Sequence, residues 1–237
     1  MVRTPAQAPS KMSLKSVRSF IETLEKEHPD AKTELVYQNP FELLVSVVLS
    51  AQATDKSVNL ATKKLFAVAS APQAMLALGE ENIAQYIRTI GLWRAKSRNI
   101  ALLSQQLLER HNGEVPRTRK ELEALAGVGR KTANVVLNVA FGEATMAVDT
   151  HIFRISNRTG LAPGKTVLEV EKSLVKRIPP DLLPPAHNRL ILHGRYICKA
   201  RKPECQLCSV AQWCLYKDKN PGPIPTLPKV NRDLSVH

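Results

Sequence analysis

A lysine and an aspartate near the middle of the sequence could together perform nucleophilic chemistry. Lys131 follows the turn Gly127-Val128-Gly129-Arg130, and Asp149 lies eighteen residues later in Val148-Asp149-Thr150-His151. A lysine amine can attack carbon once its surroundings disfavour the ammonium form, as partial burial, a helix N-terminus and Arg130 would. A carboxylate can stabilise developing positive charge or relay a proton. The ordinary alternatives are a solvated lysine that touches a phosphate and an aspartate that caps the next helix.

The glycine turn before Lys131 predicts an anion-binding surface between two short helices. Apolar residues at helical spacing precede it, at Leu122 and Leu125, and follow it, at Ala133, Val136 and Leu137. Glycines allow positive φ and carry no Cβ, so the backbone N–H groups and the positive end of the second helix can approach a phosphate. We therefore expect Gly127, Val128, Gly129 and Arg130 to contact DNA. Glycine also commonly ends a helix, and that reading alone would explain the turn.

A second cluster of reactive side chains predicts a metal centre. All four cysteines fall within 17 residues, at Cys198, Cys205, Cys208 and Cys214. In a chain without a secretory signal, such clustering indicates thiolate ligation more than disulfides. The spacing C-x6-C-x2-C-x5-C modestly favours a 4Fe-4S cluster over zinc, which usually takes two short cysteine pairs. The loop after the first cysteine holds Lys199, Arg201 and Lys202, which we expect to form a basic finger against DNA phosphates.

Charge indicates the class of partner. The 237 residues include 34 Lys and Arg against 21 Asp and Glu, a formal net charge of +13. This favours nucleic acid over an anionic membrane, because no run of about 18 apolar residues is present. Two Trp, four Tyr and five Phe are too few for single-strand stacking platforms, so we expect duplex DNA. We expect an intracellular protein of the cytoplasm or nucleoid. The acid-free segment before Glu22 only faintly resembles an organelle transit peptide, and a plain basic tail explains it better.

The elements that position these residues are predicted to be helices. Asn39-Pro40-Phe41-Glu42 is a strong helix start, with a cap, a proline at the first position and a glutamate three residues after the cap. Further helices are predicted at 54–69, 72–78, 80–88, 94–111, 118–126, 130–141, 150–158, 167–177 and 186–197. Pro179-Pro180 and Pro184-Pro185 are interpreted as linkers. Alternating polar and apolar residues are scarce, so the predicted fold class is all-α.

With these motifs in place, residues 14–218 resemble the endonuclease III family of the helix-hairpin-helix DNA glycosylase superfamily. The resemblance rests on Leu49-Ser50-Ala51-Gln52-Ala53-Thr54-Asp55, Leu125 to Ala133, Val148 to Arg154, His193-Gly194-Arg195-Tyr196 and the cysteine spacing. It implies a bifunctional glycosylase and abasic-site lyase that removes oxidised pyrimidines from duplex DNA, with a 4Fe-4S cluster. It also implies two helical domains that flank a DNA-binding cleft: a six-helix bundle with the hairpin at 33–143, and a cluster domain from 1–32 and 144–218, followed by an extended tail at 219–237.

Individual roles follow from the same resemblance. Lys131 matches the Schiff-base nucleophile and Asp149 the essential carboxylate. Gln52, Leu92 and His151 match positions that enter the space left by the extruded base. The sequence departs from the family at Trp93 and Arg94.

The resemblance implies a monomer whose partner is double-stranded DNA with damaged pyrimidines or abasic sites. Two alternatives stay open at this point. One is an adenine-specific mismatch glycosylase, which generally lacks the hairpin lysine, and the other is a non-catalytic iron-sulfur redox sensor on DNA.

Overall fold

The computed structural model describes residues 10–219 of the chain. This part contains ten α-helices and no strand, which confirms the predicted all-α class. The helices are α1 (Leu14–Glu27), α2 (Pro40–Leu49), α3 (Asp55–Phe66), α4 (Pro72–Ile87), α5 (Trp93–His111), α6 (Arg119–Glu123), α7 (Arg130–Phe141), α8 (Thr150–Thr159), α9 (Val167–Arg177) and α10 (Leu183–Tyr196). A 3-10 turn follows at Cys205–Leu207. Residues 1–9 and 220–237, with nearly all of the expected tail and part of the expected basic N-terminal segment, lie outside the described residues.

Side-chain caps fix where several helices begin. Asn39 caps α2 by accepting a hydrogen bond from the Glu42 N–H at 2.9 Å. Glu42 in turn accepts from the Gln38 N–H at 2.6 Å, and Pro40 occupies the first turn. The predicted helix start is therefore confirmed, and it orients a helix in which nine of ten residues are buried.

Several helices differ from their predicted limits: α3 ends at Phe66 instead of residue 69, and α6 ends at Glu123 instead of residue 126. Two further differences have identifiable reasons. The predicted break between 78 and 80 is confirmed as a kink in α4, where Gly79 has a φ of 77°. The interpretation of Pro184-Pro185 as a linker was wrong, because both prolines lie in the first turn of α10. Proline is tolerated there, since the first N–H groups of a helix have no intrahelical acceptor.

The apolar side chains form two separate cores. The first runs from Leu35 to Leu137 and joins α2 to α7. The second combines Met12–Leu24 with residues from Met146 to Val210, so that α1 packs with α8, α9 and α10. Each fully buried leucine or isoleucine in these cores contributes roughly 1.5–3 kcal/mol of hydrophobic free energy. The cleft described below lies where the two cores meet.

Polar contacts join the two cores. The Asn138 Nδ2 in α7 donates to the carbonyl oxygen of Pro184 at 3.0 Å, at the beginning of α10. Asn134 donates to the carbonyl of Met146 at 3.3 Å. Both asparagines are buried, so these bonds are protected from water and fix α7 against the second core.

Within residues 10–219, no helix combines the length and the apolar character that a bilayer crossing requires.

Candidate active site and metal centre

Lys131 and Asp149 line the same cleft between the two cores. Lys131 is in the first turn of α7, and Asp149 directly precedes α8. Both border an open cavity of about 510 Å³, a volume within the range of small-molecule sites. Lys131 is exposed in the free chain, so the partial burial expected from the sequence is not a property of this state. A ligand that fills the cleft would supply the missing burial.

Asp149 caps a helix, which the sequence analysis gave as the alternative to a catalytic role. Its Oδ1 accepts a hydrogen bond from the Ile152 N–H at 2.8 Å and caps α8. The cap uses one carboxylate oxygen, and a carboxylate has further acceptor capacity on the other. Capping therefore anchors the group at the cleft without using up its ability to act on a ligand.

The two glycines of the turn have different roles. Gly127 has a φ of 74°, and a Cβ on it would lie 2.9 Å from the side chain of Asn99. Gly129 has a φ of −96°, so the expectation of positive φ is correct for Gly127 only. Among residues 10–219, no atom lies within 4 Å of a Cβ built on Gly129, and no side chain caps α7. The first N–H groups of α7 are therefore open to an anion, whereas Val128 is buried and fixes the turn.

Arg130 is engaged within the protein. Its guanidinium makes two hydrogen bonds to Glu171 of α9, Nε to Oε2 at 2.9 Å and Nη2 to Oε1 at 2.7 Å. The hydrogen bond to Glu171 raises the pKa of Arg130. The carboxylate offsets the positive charge that was expected to act on Lys131 or on a phosphate. Arg130 therefore joins the hairpin to the second core, which sequence spacing did not indicate.

An ionic group also lines the cleft. Arg195 of α10 pairs with Asp55 at the start of α3, Nη2 to Oδ2 at 2.8 Å, and with Glu34. Tyr196 donates to the other Glu34 oxygen at 2.7 Å. Since Asp55 and Arg195 line the cavity together with Lys131, this group forms part of its boundary.

The three residues expected to enter DNA all lie at the surface of the chain in loops or first turns. Gln52 and Leu92 have positive φ values of 56° and 60°, and both are exposed. Leu92, with 59% exposure, is a large apolar side chain presented to solvent. His151 lines the cavity from the first turn of α8, and its Nδ1 accepts from Arg154 at 3.2 Å.

His187 is a cleft residue that sequence reasoning missed. It is buried, 2% exposed, in α10. It also lines a cavity that Lys131 and Asp149 border. Burial lowers its pKa to about 4, with Asp149 raising and Lys131 lowering it by smaller amounts. The imidazole beside the cleft is therefore neutral at physiological pH.

The four cysteines line one pocket that is formed by residues of α8, α10 and the segment after α10. All four are free of disulfides. Three sulfurs have polar neighbours: Arg158 donates to Cys198 at 3.5 Å, the Tyr216 N–H donates to Cys214 at 3.5 Å, and His193 Nε2 lies 3.7 Å from Cys208. These groups would stabilise negative charge on sulfur.

The donor set fits an iron-sulfur cluster. Four cysteines line one pocket, and in a cubane each thiolate meets a different iron. Burial, with the other cysteines nearby, raises the pKa of the Cys208 thiol to about 11, so thiolates in this pocket require a cationic centre.

Some basic residues around the cysteines are engaged in contacts within the protein, although the sequence suggested that they contact phosphate. Lys199 pairs with Glu204 at 3.1 Å, whereas Arg201 and Lys202 are exposed. Arg158 of α8 donates to the carbonyls of Lys199 and Ala200 at 2.6 and 3.0 Å, which holds the loop against the second core. Arg201 and Lys202 are therefore the loop cations best placed to meet a phosphate.

Comparison with known proteins agrees with this geometry. Residues 45–180 match the family described as HhH-GPD superfamily base excision DNA repair protein. Residues 198–214 match the iron-sulfur binding domain of endonuclease III and span the four cysteines. The matched regions therefore contain both the lysine cleft and the metal centre.

Individual relatives match most of the chain. Endonuclease III of Haemophilus influenzae is 58% identical over 83% of this chain and 93% of its own length. Endonuclease III of Escherichia coli gives the same identity and coverage. A solved structure of a trapped endonuclease III–DNA covalent intermediate superposes with a TM-score of 0.81 and 49% identity, over 86% of this chain and 96% of that one.

Proposed function

The chain belongs to the endonuclease III family of the HhH-GPD superfamily and is a DNA glycosylase and abasic-site lyase of base excision repair, in which we propose Lys131 as the nucleophile and Asp149 as the assisting carboxylate. The observation that carries this assignment is that both side chains line one cleft beside an uncapped helix N-terminus. A related protein has been trapped in covalent complex with DNA, which supports an amine nucleophile.

The proposed reaction begins with the unprotonated amine of Lys131. Its nitrogen bonds to C1′ of an extruded nucleotide, and the bond from C1′ to the base breaks as the base leaves with a proton. The sugar ring opens to an iminium, which acidifies the C2′ proton. Loss of that proton to a base breaks the C3′–O bond and releases the 3′ phosphate, so the strand is cut. Water finally hydrolyses the iminium and restores the lysine.

Asp149 assists this sequence by charge. A carboxylate beside the sugar stabilises the positive charge that develops at C1′ as the base departs, and it can accept a proton from the amine. The α8 cap holds one of its oxygens at a fixed position, so little reorganisation is needed when the charge appears.

The proposed DNA contacts divide between phosphate and base stack. The N–H groups of the turn at Gly127 to Gly129 would bind phosphate, with Arg201 and Lys202 as further phosphate contacts. Gln52, Leu92 and His151 would occupy the space left by the extruded nucleotide. We assign Arg130 to the support of the hairpin, because Glu171 occupies its guanidinium.

The chain carries a 4Fe-4S cluster, and we propose Cys198, Cys205, Cys208 and Cys214 as its ligands. When bound, the cluster ties together a segment that has little regular structure of its own. The two cores support a division into a bundle at 33–143 and a cluster domain from 1–32 and 144–218, with a tail after it. We propose that a monomer acts, since one chain supplies both Lys131 and Asp149.

Trapping of the covalent intermediate tests the nucleophile. With borohydride present, the wild-type chain should form an adduct with duplex DNA that contains an abasic site. Lys131→Gln should form none while its affinity for the same DNA stays within about threefold, because the groups proposed to contact phosphate are unchanged. Lys176→Gln, an exposed charge change on α9, is the control. An adduct that survives in Lys131→Gln would remove the lysine from this role.

The carboxylate is tested by a variant that keeps the helix cap. Asn caps helices as well as Asp does, so Asp149→Asn should retain the melting temperature while kcat falls by about 100-fold. Asp149→Ala should lose the same activity and in addition about 1 kcal/mol of stability. Unchanged kcat in Asp149→Asn would reduce the residue to a cap.

The proposed function also specifies which damaged bases the enzyme releases. We propose oxidised pyrimidines as substrates and expect base release from duplexes with thymine glycol, but not from an adenine–guanine mismatch. Base release from each of the two duplexes is measured by strand cleavage of otherwise identical oligonucleotides, resolved on a gel. Adenine release from the mismatch would instead support the mismatch glycosylase alternative.

The ligand assignment predicts the spectrum of the purified protein. It should be yellow-brown and contain about four irons and four sulfides per chain, and Cys208→Ser should lose that absorbance. Stoichiometric zinc in a colourless sample of the wild type would contradict the assignment.

A further inference from the structure

Lys96 is a buried lysine that bonds to backbone carbonyls. The residue is 4% exposed, and its Nζ donates to the carbonyl oxygens of Leu49 at 2.9 Å and Ala51 at 2.7 Å. Within residues 10–219, no carboxylate lies within 4.0 Å of it. Burial lowers the pKa of this amine, so keeping an ammonium here costs free energy. Two backbone carbonyls are the groups that offset this cost.

Both carbonyls belong to the start of the loop that carries Gln52. Leu49 is the last residue of α2, and Ala51 directly precedes Gln52. Carbonyls at a helix end have no intrahelical donor, and Lys96 supplies one from a distant helix. Gln52 itself has a φ of 56°, a left-handed conformation that is sterically unfavourable for a non-glycine residue. The loop therefore needs outside support to keep this shape.

The same lysine is tied to the turn that carries Leu92. Lys96 lies one helical turn after Leu92 in α5, and its N–H donates to the Leu92 carbonyl at 3.1 Å. Leu92 also has a positive φ, 60°. The two segments run side by side, because a Cβ built on Gly91 would lie 3.8 Å from the carbonyl oxygen of Gln52. Lys96 therefore contacts both segments, one through its side chain and one through its backbone.

We propose that Lys96 is a positioning residue that fixes the Gln52 loop against the Leu92 turn, so that both side chains enter the duplex as one rigid unit. This rests on the proposed function, in which Gln52 and Leu92 fill the space left by the extruded nucleotide. The unit matters for opening a base pair and not for the reaction at a sugar that is already accessible. Lys131 and Asp149 lie on other elements, α7 and the start of α8.

Two substrates separate these steps. Lys96→Met keeps the length of the side chain and removes its donors. For this variant, kcat/KM on thymine glycol paired with adenine in a duplex should fall by about tenfold or more. Cleavage of an abasic site in a single-stranded oligonucleotide should change by less than about twofold, since no stack has to be opened. Lys176→Met, which removes an exposed charge, should leave both rates unchanged.

The rates on the two substrates decide whether Lys96 has this positioning role. Equal losses on both substrates, or no loss on the duplex, would overturn the positioning role. If Lys96→Met does not fold, as judged by circular dichroism, Lys96→Gln is measured instead and should show the same selective loss to a smaller extent, because its amide still donates to one carbonyl. Failure of the wild-type chain on both substrates would contradict the proposed function and, with it, this inference; an active wild-type chain with an unselective Lys96→Met would contradict the inference alone.

Discussion

At the scale of single residues, the cleft combines groups of very different exposure. Lys131 is open to solvent, Asp149 is half-buried with one oxygen in a helix cap, and His187 is enclosed. An exposed amine can reach a nucleotide, whereas a capped carboxylate cannot swing away from it. Lys131 is therefore the accessible group, and Asp149 is the group with a fixed position.

His187 predicts a dependence of stability on pH. Its pKa is about 4 in the fold and near 6.5 when unfolded, so the unfolded chain binds the proton more readily. The free energy of unfolding should therefore decrease as the pH falls from about 6.5 towards 4, by at most about 3 kcal/mol from this residue. Urea unfolding at about pH 7 and pH 5 measures this decrease in the free energy of unfolding. His187→Gln should lose less stability between the two values, and an identical loss in both proteins would contradict the assignment.

Residue roles were predictable from the sequence only where neighbours along the chain define them. The helix start at Asn39 and the cap at Asp149 depend on residues within four positions. The pairing of Arg130 with Glu171 joins residues 41 positions apart, and the bond from Lys96 to Leu49 spans 47. His187 gave no spacing signal at all, because its burial results from how α10 packs. These contacts depend on tertiary packing, which local patterns do not specify.

At the scale of elements, α8 connects the two functional centres. Asp149 caps its beginning at the cleft, whereas Arg154 in its middle and Arg158 near its end hold the backbone of the cysteine loop. Ten residues of helix span about 15 Å, so the distance between the two ends is fixed. Any change in the packing of α8 is therefore expected to affect both centres.

Gly194 tests how closely α8 must pack against α10. A Cβ at this position would lie 2.8 Å from the Cβ of His151 and 3.0 Å from Ile155 Cδ1. Gly194→Ala should displace the first turn of α8 and lower kcat/KM on thymine glycol DNA by about tenfold, with about 1–3 kcal/mol of lost stability. Steady-state kinetics and urea unfolding measure both.

Ile155→Val is the matched control for that variant. It should cost about 1 kcal/mol of stability and leave activity nearly unchanged, because it removes one methyl group without moving the turn. If the two variants lose stability and activity in the same proportion, the activity loss in Gly194→Ala reflects unfolding and not displacement of α8.

At the scale of the whole molecule, ionic contacts bridge the two cores at two places. Arg130 and Glu171 join α7 to α9, and Arg195 joins α10 to Asp55. Glu171 is largely enclosed, with 7% of its side chain exposed, whereas Arg130 is 41% exposed. Water therefore screens this pair only in part. The contribution of the pair to the free energy of unfolding should lie between those of surface and buried ion pairs.

A double-mutant cycle measures the bridge between α7 and α9. Glu171→Gln should destabilise the chain by about 1–2 kcal/mol, because Arg130 and the nearby Arg119 lose their carboxylate. With Arg130→Gln as the second arm, the two losses should be non-additive by about 1 kcal/mol. Unfolding free energies from urea titrations give all four corners. Additive losses would mean that the pair does not couple the cores.

The fold as a whole was easier to predict than its contacts. Helical periodicity, caps and glycines gave the class and most helix positions, because these signals are local. Pro184-Pro185 misled the prediction, since the same dipeptide suits a linker and the first turn of a helix. That Met12 to Leu24 pack with residues beyond Met146 was not available from composition or periodicity.

That long-range packing affects how the protein folds as it leaves the ribosome. The segment that forms α1 is synthesised early, but its packing partners are synthesised last, after the whole stretch from Leu35 to Leu137. The earlier core can close while translation continues, whereas the apolar face of α1 stays uncovered until α10 has emerged. During this interval the apolar face of α1 is expected to be prone to aggregation.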